Sequence, residues 1–230
     1  DRAENVKKAL EFYERAFYLG ETSVAKKIGY IYLNVEELSD ASKAIEWYEK
    51  GLSLGDYSLN FDLAYVYLND RLPDNDYEKG LSYLQEGVKH NDPESIYLQA
   101  RVYEMGLYGI EPDSKKYVYF LKKAARLGQN DALLDLGYYY YKKKNYDKAL
   151  DCFAECELDA VGLYWAVATI CEDQKQDYDN ALRYYQMAAE ENFPDALERL
   201  AEAYLGDNLG LEKDEKIAFK LFKRAARLGN

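Results

Sequence analysis

Residues 9–16 of this chain read ALEFYERA and residues 44–51 read AIEWYEKG, so the same eight-residue pattern returns after 35 positions. The pattern then recurs along the whole sequence. With Ala9 as the reference, the equivalent positions are Ala44, Gly80, Tyr117, Ala149, Ala181 and Ala218, at spacings of 32 to 37 residues. A period of this length is the signature of a repeat architecture, in which each structural unit packs on its neighbours.

Each of the seven copies has the features of one amphipathic helix, here called a second-type helix. A short polar residue four positions before the reference predicts an N-cap, because its side chain can accept hydrogen bonds from free backbone N–H groups. Apolar residues three and four positions after the reference form one helical face. A small residue seven positions after the reference permits close approach of a neighbouring helix. Glycines are expected to end several of these helices. The N-caps are Asn5, Asp40, Asp76, Asp113, Asn145, Asp177 and Asp214; the small residues are Ala16, Gly51, Gly87, Ala124, Cys156, Ala188 and Ala225; the terminating glycines are Gly20, Gly55, Gly128 and Gly229.

Another helical segment, here called a first-type helix, lies between these copies and is clearest at residues 132–140, which read ALLDLGYYY. Its pattern is an apolar residue, a small residue, and an aromatic residue three positions later. Six segments fit this pattern, the weakest having a cysteine in the aromatic position; their small residues are Gly29, Ala64, Ala100, Gly137, Ala168 and Ala201. Six first-type helices alternate with seven second-type helices, which predicts about thirteen antiparallel helices.

The order of these features resembles the Sel1-like repeat, a relative of the tetratricopeptide repeat. The residues that carry the resemblance are Ala-x-x-x-Leu-Gly-x-x-Tyr, a glycine-bearing loop, an Asp cap and an aromatic pair before Lys-Ala-Ala, best matched at residues 113–140 and 195–229. The loops at residues 105–110 and 205–210 look like the family's glycine insertion. The resemblance implies an all-α fold, a right-handed α/α superhelix (solenoid), with residues 1–230 as a single repeat array.

The resemblance also implies a scaffold or adaptor that binds a protein or peptide, because in tetratricopeptide-type arrays the first helix of each hairpin lines the concave surface. The positions on that helix that packing does not use lie three before and one after the small residue. By this register the candidate partner-binding residues are Lys26, Tyr30, Phe61, Tyr65, Tyr97, Arg101, Leu134, Tyr138, Trp165, Thr169, Glu198 and Glu202. Six of the twelve are aromatic, and exposed aromatic side chains supply contact area at low entropic cost. The alternative for several of them is packing against the next repeat.

A second hypothesis is a structural spacer arm of a larger multidomain protein, with no dedicated ligand groove. The carboxylate clamp by which some tetratricopeptide domains grip a chain terminus needs several Lys, Arg and Asn on the concave face. Only Lys26 and Arg101 stand at such positions. We therefore do not expect capture of a C-terminal carboxylate.

The charge of the chain bears on its partners. The formal net charge is −12, and residues 1–115 account for −9 of it, with 13 basic and 22 acidic side chains. Such a field disfavours nucleic acid, whose affinity for proteins comes largely from cation–phosphate contacts, and it disfavours anionic membrane surfaces. Basic or neutral partners fit better.

The sequence lacks the components of an active site or a metal site. All three cysteines occupy core positions of the repeat. We therefore interpret Cys152, Cys156 and Cys171 as buried free thiols and predict no bound metal. His90 is the only histidine and is expected to cap a helix end or be solvated. With no nucleophile elbow and no phosphate-binding loop, the chain is predicted to be no enzyme and to need no cofactor.

The ends of the chain lead to two expectations. The sequence begins at Asp1 without a signal peptide, and it stops just after Gly229, so we expect an excerpt of a longer array or protein. The last helix carries Ile217, Leu221 and Phe222, which we expect to be covered by further chain or by self-association of terminal repeats. No apolar stretch is long enough for membrane insertion, and the low cysteine content favours a reducing compartment such as the cytoplasm.

Overall fold

The structure is a computed structural model that describes residues 2–69, 72, 76–157, 161–206 and 209–229. These residues form thirteen α-helices and no strand, which confirms the predicted all-α fold. The helices are α1 (Arg2–Tyr18), α2 (Val24–Asn34), α3 (Ala41–Ser53), α4 (Leu59–Leu68), α5 (Tyr77–Lys89), α6 (Pro93–Met105), α7 (Ser114–Arg126), α8 (Asn130–Lys142), α9 (Tyr146–Glu155), α10 (Val161–Ile170), α11 (Tyr178–Glu190), α12 (Pro194–Leu205) and α13 (Glu215–Arg227). A 3₁₀ turn spans Glu36–Leu38, and a π-helical turn spans Cys171–Lys175.

The chain forms two compact units, Asp1–Gln129 with α1 to α7 and Asn130–Asn230 with α8 to α13. Within each unit, every first-type helix packs most extensively on the second-type helix that follows it. These hairpins are α2/α3, α4/α5 and α6/α7 in the first unit, and α8/α9, α10/α11 and α12/α13 in the second. Each unit is therefore a stack of helical hairpins.

The predicted N-caps are correct for six of the seven second-type helices. Asp40, Asp76, Asp113, Asn145, Asp177 and Asp214 each accept a hydrogen bond from a backbone N–H in the first turn of the following helix. The prediction for Asn5 is wrong, because α1 begins at Arg2 and includes this residue. The residues before Asn5 include Ala and Glu, which favour helix, so the helix extends past the predicted cap.

A second hydrogen bond, this one between backbone groups, closes five of the hairpins. The N–H of the N-cap residue donates to the carbonyl of the residue three positions after the small residue of the preceding helix. These bonds are Asp40 to Tyr32 (2.8 Å), Asp113 to Tyr103 (2.8 Å), Asn145 to Tyr140 (2.9 Å), Asp177 to Cys171 (2.9 Å) and Asp214 to Tyr204 (2.9 Å). The intervening loops differ in length, yet the bond joins the same two register positions each time.

The small residues allow close helix contacts of two kinds. In first-type helices, a Cβ added to Gly29 would overlap the ring of Tyr48, and a Cβ added to Gly137 would overlap the ring of Phe153. In second-type helices, a Cβ on Gly51 would overlap Leu59 at the start of the next hairpin. One small position therefore closes a hairpin and the other allows the next hairpin to pack against it.

Left-handed backbone ends most second-type helices, as predicted. Gly20, Gly55, Gly128 and Gly229 have positive φ, between 79° and 105°. At the equivalent positions after α5 and α11 the chain has Asn91 (φ 58°) and Asn192 (φ 63°). Asparagine also tolerates this conformation, so these two ends carry no glycine signal in the sequence.

All three cysteines are free, but only Cys171 is buried. Cys152 and Cys156 are half-buried, which corrects the prediction that all three are core residues. The position of Cys156 explains its exposure, because α9 ends at Glu155 and Cys156 continues as extended backbone. Its thiol lies 3.6 Å from the carbonyl oxygen of Asn130. Burial raises the pKa of Cys152 to about 11.

Replacing Gly137 by Ala should lower the free energy of unfolding by about 1–3 kcal/mol, because the added methyl group overpacks the contact with Phe153. Ala201→Leu should destabilise the protein by a similar amount, because Ala201 is fully buried and the larger side chain overpacks its site. The measurement is urea unfolding followed by circular dichroism. In a Phe153→Leu background the smaller side chain leaves room, so Gly137→Ala should destabilise less there. Equal losses in both backgrounds would show that this contact is not the limiting one.

Cys152 should react slowly with iodoacetamide in the folded protein, because only the thiolate is nucleophilic and a pKa near 11 leaves little of it at pH 8. We expect its alkylation to be on the order of 100-fold slower than in urea, and to accelerate as the pH rises toward 11. Mass spectrometry of the Cys152 peptide measures both rates. A folded-state rate equal to the rate in urea would contradict the raised pKa.

Candidate functional site

All twelve candidate residues retain some exposed side-chain surface. Lys26, Tyr30, Tyr65 and Glu202 are exposed, and Phe61, Tyr97, Arg101, Leu134, Tyr138, Trp165, Thr169 and Glu198 are half-buried. Core positions on the same helices, such as Ile28, Leu63 and Ile96, are fully buried. The register therefore separates surface from core on the first-type helices. The use of this surface for binding stays a prediction.

In the first unit, Lys26 is already part of an ion pair. Its ammonium lies 2.9 Å from Asp62 on α4. Burial works against the charged form of Lys26, but the carboxylates of Asp62, Glu94 and Asp92 outweigh it and raise the pKa of the ammonium. Burial also raises the pKa of Asp62, although Lys26 opposes the shift. Lys26 therefore contributes to this surface as one half of a pair surrounded by carboxylates.

Two candidate aromatic residues, Phe61 and Tyr65, flank Asp62 in the sequence of α4. The rings of Phe61 and Tyr65 lie 6.2 Å apart.

His90 is exposed at the C-cap of α5, and its ring stacks on Tyr57 with centroids 3.9 Å apart. The sequence does not predict this stack, because the two residues lie 33 positions apart, on loops.

Arg101 forms an ion pair with Glu104 on its own helix, and its guanidinium lies 3.9 Å from the sulfur of Met105. These contacts hold the long side chain along α6. A side chain ordered in this way loses less conformational entropy when a partner binds it.

In the second unit, three candidates both pack and remain partly exposed. Leu134, Tyr138 and Trp165 contact the hydrophobic core of this unit. The ring of Tyr138 packs edge-on against Phe153 at 5.3 Å, and burial raises the pKa of its hydroxyl. Trp165 lies 5.3 Å from Tyr185 and 5.7 Å from Phe193, measured between ring centroids. The packing alternative therefore applies in part to all three.

Trp165 and Thr169 also line a pocket of about 520 Å³ in the second unit. The other lining residues are Glu172, Asp173, Gln176, Tyr178, Tyr185 and Arg199, none of which is a candidate by the sequence register. Glu202 borders the pocket, because its carboxylate lies 3.8 Å from the guanidinium of Arg199.

An ion pair between Glu172 and Arg199 forms the floor of this pocket. Both side chains are nearly buried, with 14% and 15% of their surface exposed. Arg199 donates to both carboxylate oxygens of Glu172, and the Tyr185 hydroxyl donates to one of them at 2.8 Å. Burial opposes the charged form of Glu172, but the hydrogen bonds from Arg199 and Tyr185 outweigh it and lower the pKa. Burial and the bond to Glu172 raise the pKa of Tyr185.

The π-helical turn Cys171–Lys175 places Glu172 on this floor. It follows α10 directly and ends at Gln176, whose φ is +52°. Such turns interrupt the α-helical register and occur frequently at functional sites. The sequence carries only a weak signal for this site, because Glu172 occupies the register position of Leu33, Leu68 and Leu205, but Glu104 of α6 occupies it too.

Two classes of site are not found in the part of the chain that the structure describes. No group of three or more His, Cys, Asp or Glu side chains there is placed to hold a metal ion. No helix among the same residues combines the length and the apolar character needed to cross a membrane.

Comparison with known proteins identifies similar sequences. A sequence model described as the Sel1 repeat matches residues 2–21, 27–56, 60–92, 93–129, 172–193 and 194–230. An uncharacterized protein of Neisseria meningitidis serogroup B is 28% identical over 155 residues, which cover 65% of this chain and 32% of that protein. The chain thus spans about a third of the length of this relative.

Two crystal structures resemble the fold. A protective antigen of uropathogenic Escherichia coli, described as having an SLR fold, matches with a TM-score of 0.78 and 20% identity over 96% of this chain and 49% of its own. A Sel1 repeat protein of Oxalobacter formigenes matches with a TM-score of 0.69 and 17% identity over 95% of this chain and 99% of its own. At these identities the likeness concerns the fold alone, and it confirms the solenoid class.

Replacing Arg199 by Met should lower the free energy of unfolding by about 3 kcal/mol at pH 7, because it leaves Glu172 nearly buried without its cation. The pKa of Glu172 is lowered in the folded state, so this stabilisation is present above the ordinary value of 4.5 and is lost as the pH falls through the folded value. The difference between the parent and the variant should therefore shrink in urea unfolding at pH 3.5.

The matched control is Arg183→Met, because Arg183 is exposed on α11. Its substitution should change the free energy of unfolding by less than about 1 kcal/mol. If Arg199→Met destabilises equally at pH 7 and pH 3.5, the effect comes from packing and not from the ion pair.

Proposed function

This chain belongs to the Sel1 repeat family, and we propose that it is a protein- or peptide-binding scaffold or adaptor whose binding surface is the exposed face of the first-type helices. Sel1 and tetratricopeptide-like repeats generally serve as protein-interaction scaffolds, and the family is generally non-catalytic. We extend the second statement to this chain and propose that it catalyses no reaction.

The observation that carries the proposal is the exposure of aromatic side chains at the candidate positions of the first unit. Tyr30 is 62% exposed and Tyr65 is 39% exposed, while the neighbouring residues of the repeat pattern are buried. Phe61 and Tyr97 retain part of their surface on α4 and α6. Aromatic residues and arginine contribute most often to the energy of protein interfaces, and Arg101 lies one turn from Tyr97.

Charge narrows the class of partner. The net charge of −12 and the carboxylates around Lys26 favour a basic or neutral protein over nucleic acid. Self-association remains a further proposal for the terminal helices, since Phe12 on α1 and Phe219 on α13 are each 68% exposed.

The second candidate function is a spacer arm of a larger protein. The packing of Leu134, Tyr138 and Trp165 against the core of the second unit favours it, because these side chains already stabilise the fold without a partner. A spacer needs its length and rigidity but no particular side chains on the first-type helices. The two functions therefore differ in their response to substitutions on that face.

The test is the double substitution Tyr97→Ala/Arg101→Ala. A partner is first isolated with the parent protein from an extract of the source organism, purified, and titrated by calorimetry. Because truncation of such residues commonly costs more than about 1 kcal/mol each, we expect the affinity to fall by roughly 30-fold, with the melting temperature nearly unchanged.

The matched control is Tyr119→Ala/Arg126→Ala, which removes the same two side-chain types from exposed positions of the second-type helix α7. It should bind the partner as well as the parent does. If both double variants bind equally well, the first-type face is not the interface and the spacer function takes its place.

A further inference from the structure

The pocket of the second unit is lined by both aromatic and charged residues, among them Trp165, Tyr178, Glu172, Asp173 and Arg199. It combines aromatic walls with a charged floor and lies beside the candidate residues Thr169 and Glu202 of the second unit. Its volume of about 520 Å³ lies in the range of known ligand pockets and exceeds that of any single side chain.

The floor of the pocket offers little to an anion. The positive charge of Arg199 is already bound to both carboxylate oxygens of Glu172, and Glu202 lies 3.8 Å from the same guanidinium. Lys175 is the cationic residue of the π-helical turn, and its ammonium pairs with Asp147 on α9. An anionic ligand would have to displace a nearly buried carboxylate, and such a displacement is unfavourable.

The rim of the pocket carries excess negative charge. Asp173 is exposed, and among the residues that the structure describes its carboxylate has no hydrogen-bond or ion-pair partner. Glu172 and Arg199 neutralise each other, so Asp173 and Glu202 dominate the local field. A cation is therefore attracted to the mouth of the pocket.

The aromatic walls favour the same kind of ligand. Trp165 is half-buried, and Tyr178 at the start of α11 is 40% exposed. A cation over the face of a tryptophan or tyrosine ring is stabilised by the ring quadrupole, and the apolar stem of a long basic side chain can pack on the same surface. A neutral or acidic side chain gains neither the ring–cation attraction nor the pairing with Asp173.

From these contacts we propose that the pocket is a subsite for a lysine or arginine side chain of a partner peptide, with the cation between the aromatic walls and Asp173. The proposal rests on the proposed scaffold function and names the chemistry that part of the surface recognises. It also gives the π-helical turn a role, because the turn carries both Glu172 on the floor and Asp173 on the rim.

The experiment uses the full chain with Trp47→Phe, which leaves Trp165 as the only tryptophan. Four blocked pentapeptides are titrated while Trp165 fluorescence is recorded: glycine peptides with a central arginine, lysine, citrulline or norleucine. The arginine and lysine peptides should cause saturable changes. Their neutral analogues should bind at least about 10-fold more weakly, because they lack the charge on which both interactions depend.

Asp173→Asn in the same background should weaken the arginine peptide by about threefold to fivefold, as expected for one partly exposed ion pair. Asp179→Asn is the matched control, since Asp179 is exposed on α11 but does not line the pocket. It should leave the titration unchanged. Equal binding of citrulline and arginine peptides, or equal effects of the two substitutions, would overturn the proposal.

The two proposals can fail separately. If no basic peptide perturbs Trp165 while an isolated partner still requires Tyr97 and Arg101, the pocket proposal is wrong and the scaffold function stands. If basic peptides bind as expected while partner binding ignores those two residues, the pocket is a basic-side-chain subsite and the first-type face of the first unit is not an interface.

Discussion

The close approach of paired helices at one small residue is the constraint on which each hairpin depends. At Gly29 and Gly137 the ring of Tyr48 or Phe153 occupies the space that a Cβ would fill, so the aromatic residue of the second-type helix packs directly on the backbone of the first. The backbone N–H of the N-cap residue then donates to the carbonyl three residues after the small residue, and this bond joins the same two helices at the same register. With both contacts in place, loops of different lengths can connect the helices without changing how they pack.

This constraint also decides which side chains remain available for binding. The residue immediately before each small position is buried, while those three before and one after it stay at least partly exposed. Because these positions are at most partly packed, they can differ between repeats. In the first unit they hold aromatic residues next to the Lys26–Asp62 pair, and in the second they border a pocket with the Glu172–Arg199 pair on its floor.

The pocket arises where one repeat departs from the pattern. In α10 the helix continues into a π-helical turn, and Glu172 is nearly buried at a position where three other repeats have leucine and α6 has the more exposed Glu104. A charged side chain at a nearly buried position is unfavourable unless it is paired, and here Arg199 and Tyr185 complete the pairing. Local rules are most often broken where a protein has a functional need, which is why this departure supports a site and not a defect in the repeat.

The sequence by itself determined the number and type of the helices, six of seven N-caps and the separation of surface from core. These features depend on neighbours within one or two helical turns, where spacing alone specifies the geometry. It could not place Asn5 within α1 or show that α9 ends before Cys156, since helix ends depend on small differences in local free energy. Only the tertiary structure decided that Glu172 meets Arg199, 27 residues away, and that Tyr57 stacks on His90. Such pairs depend on how separate hairpins pack. The spacing of residues along the sequence does not specify the distance between side chains on different hairpins.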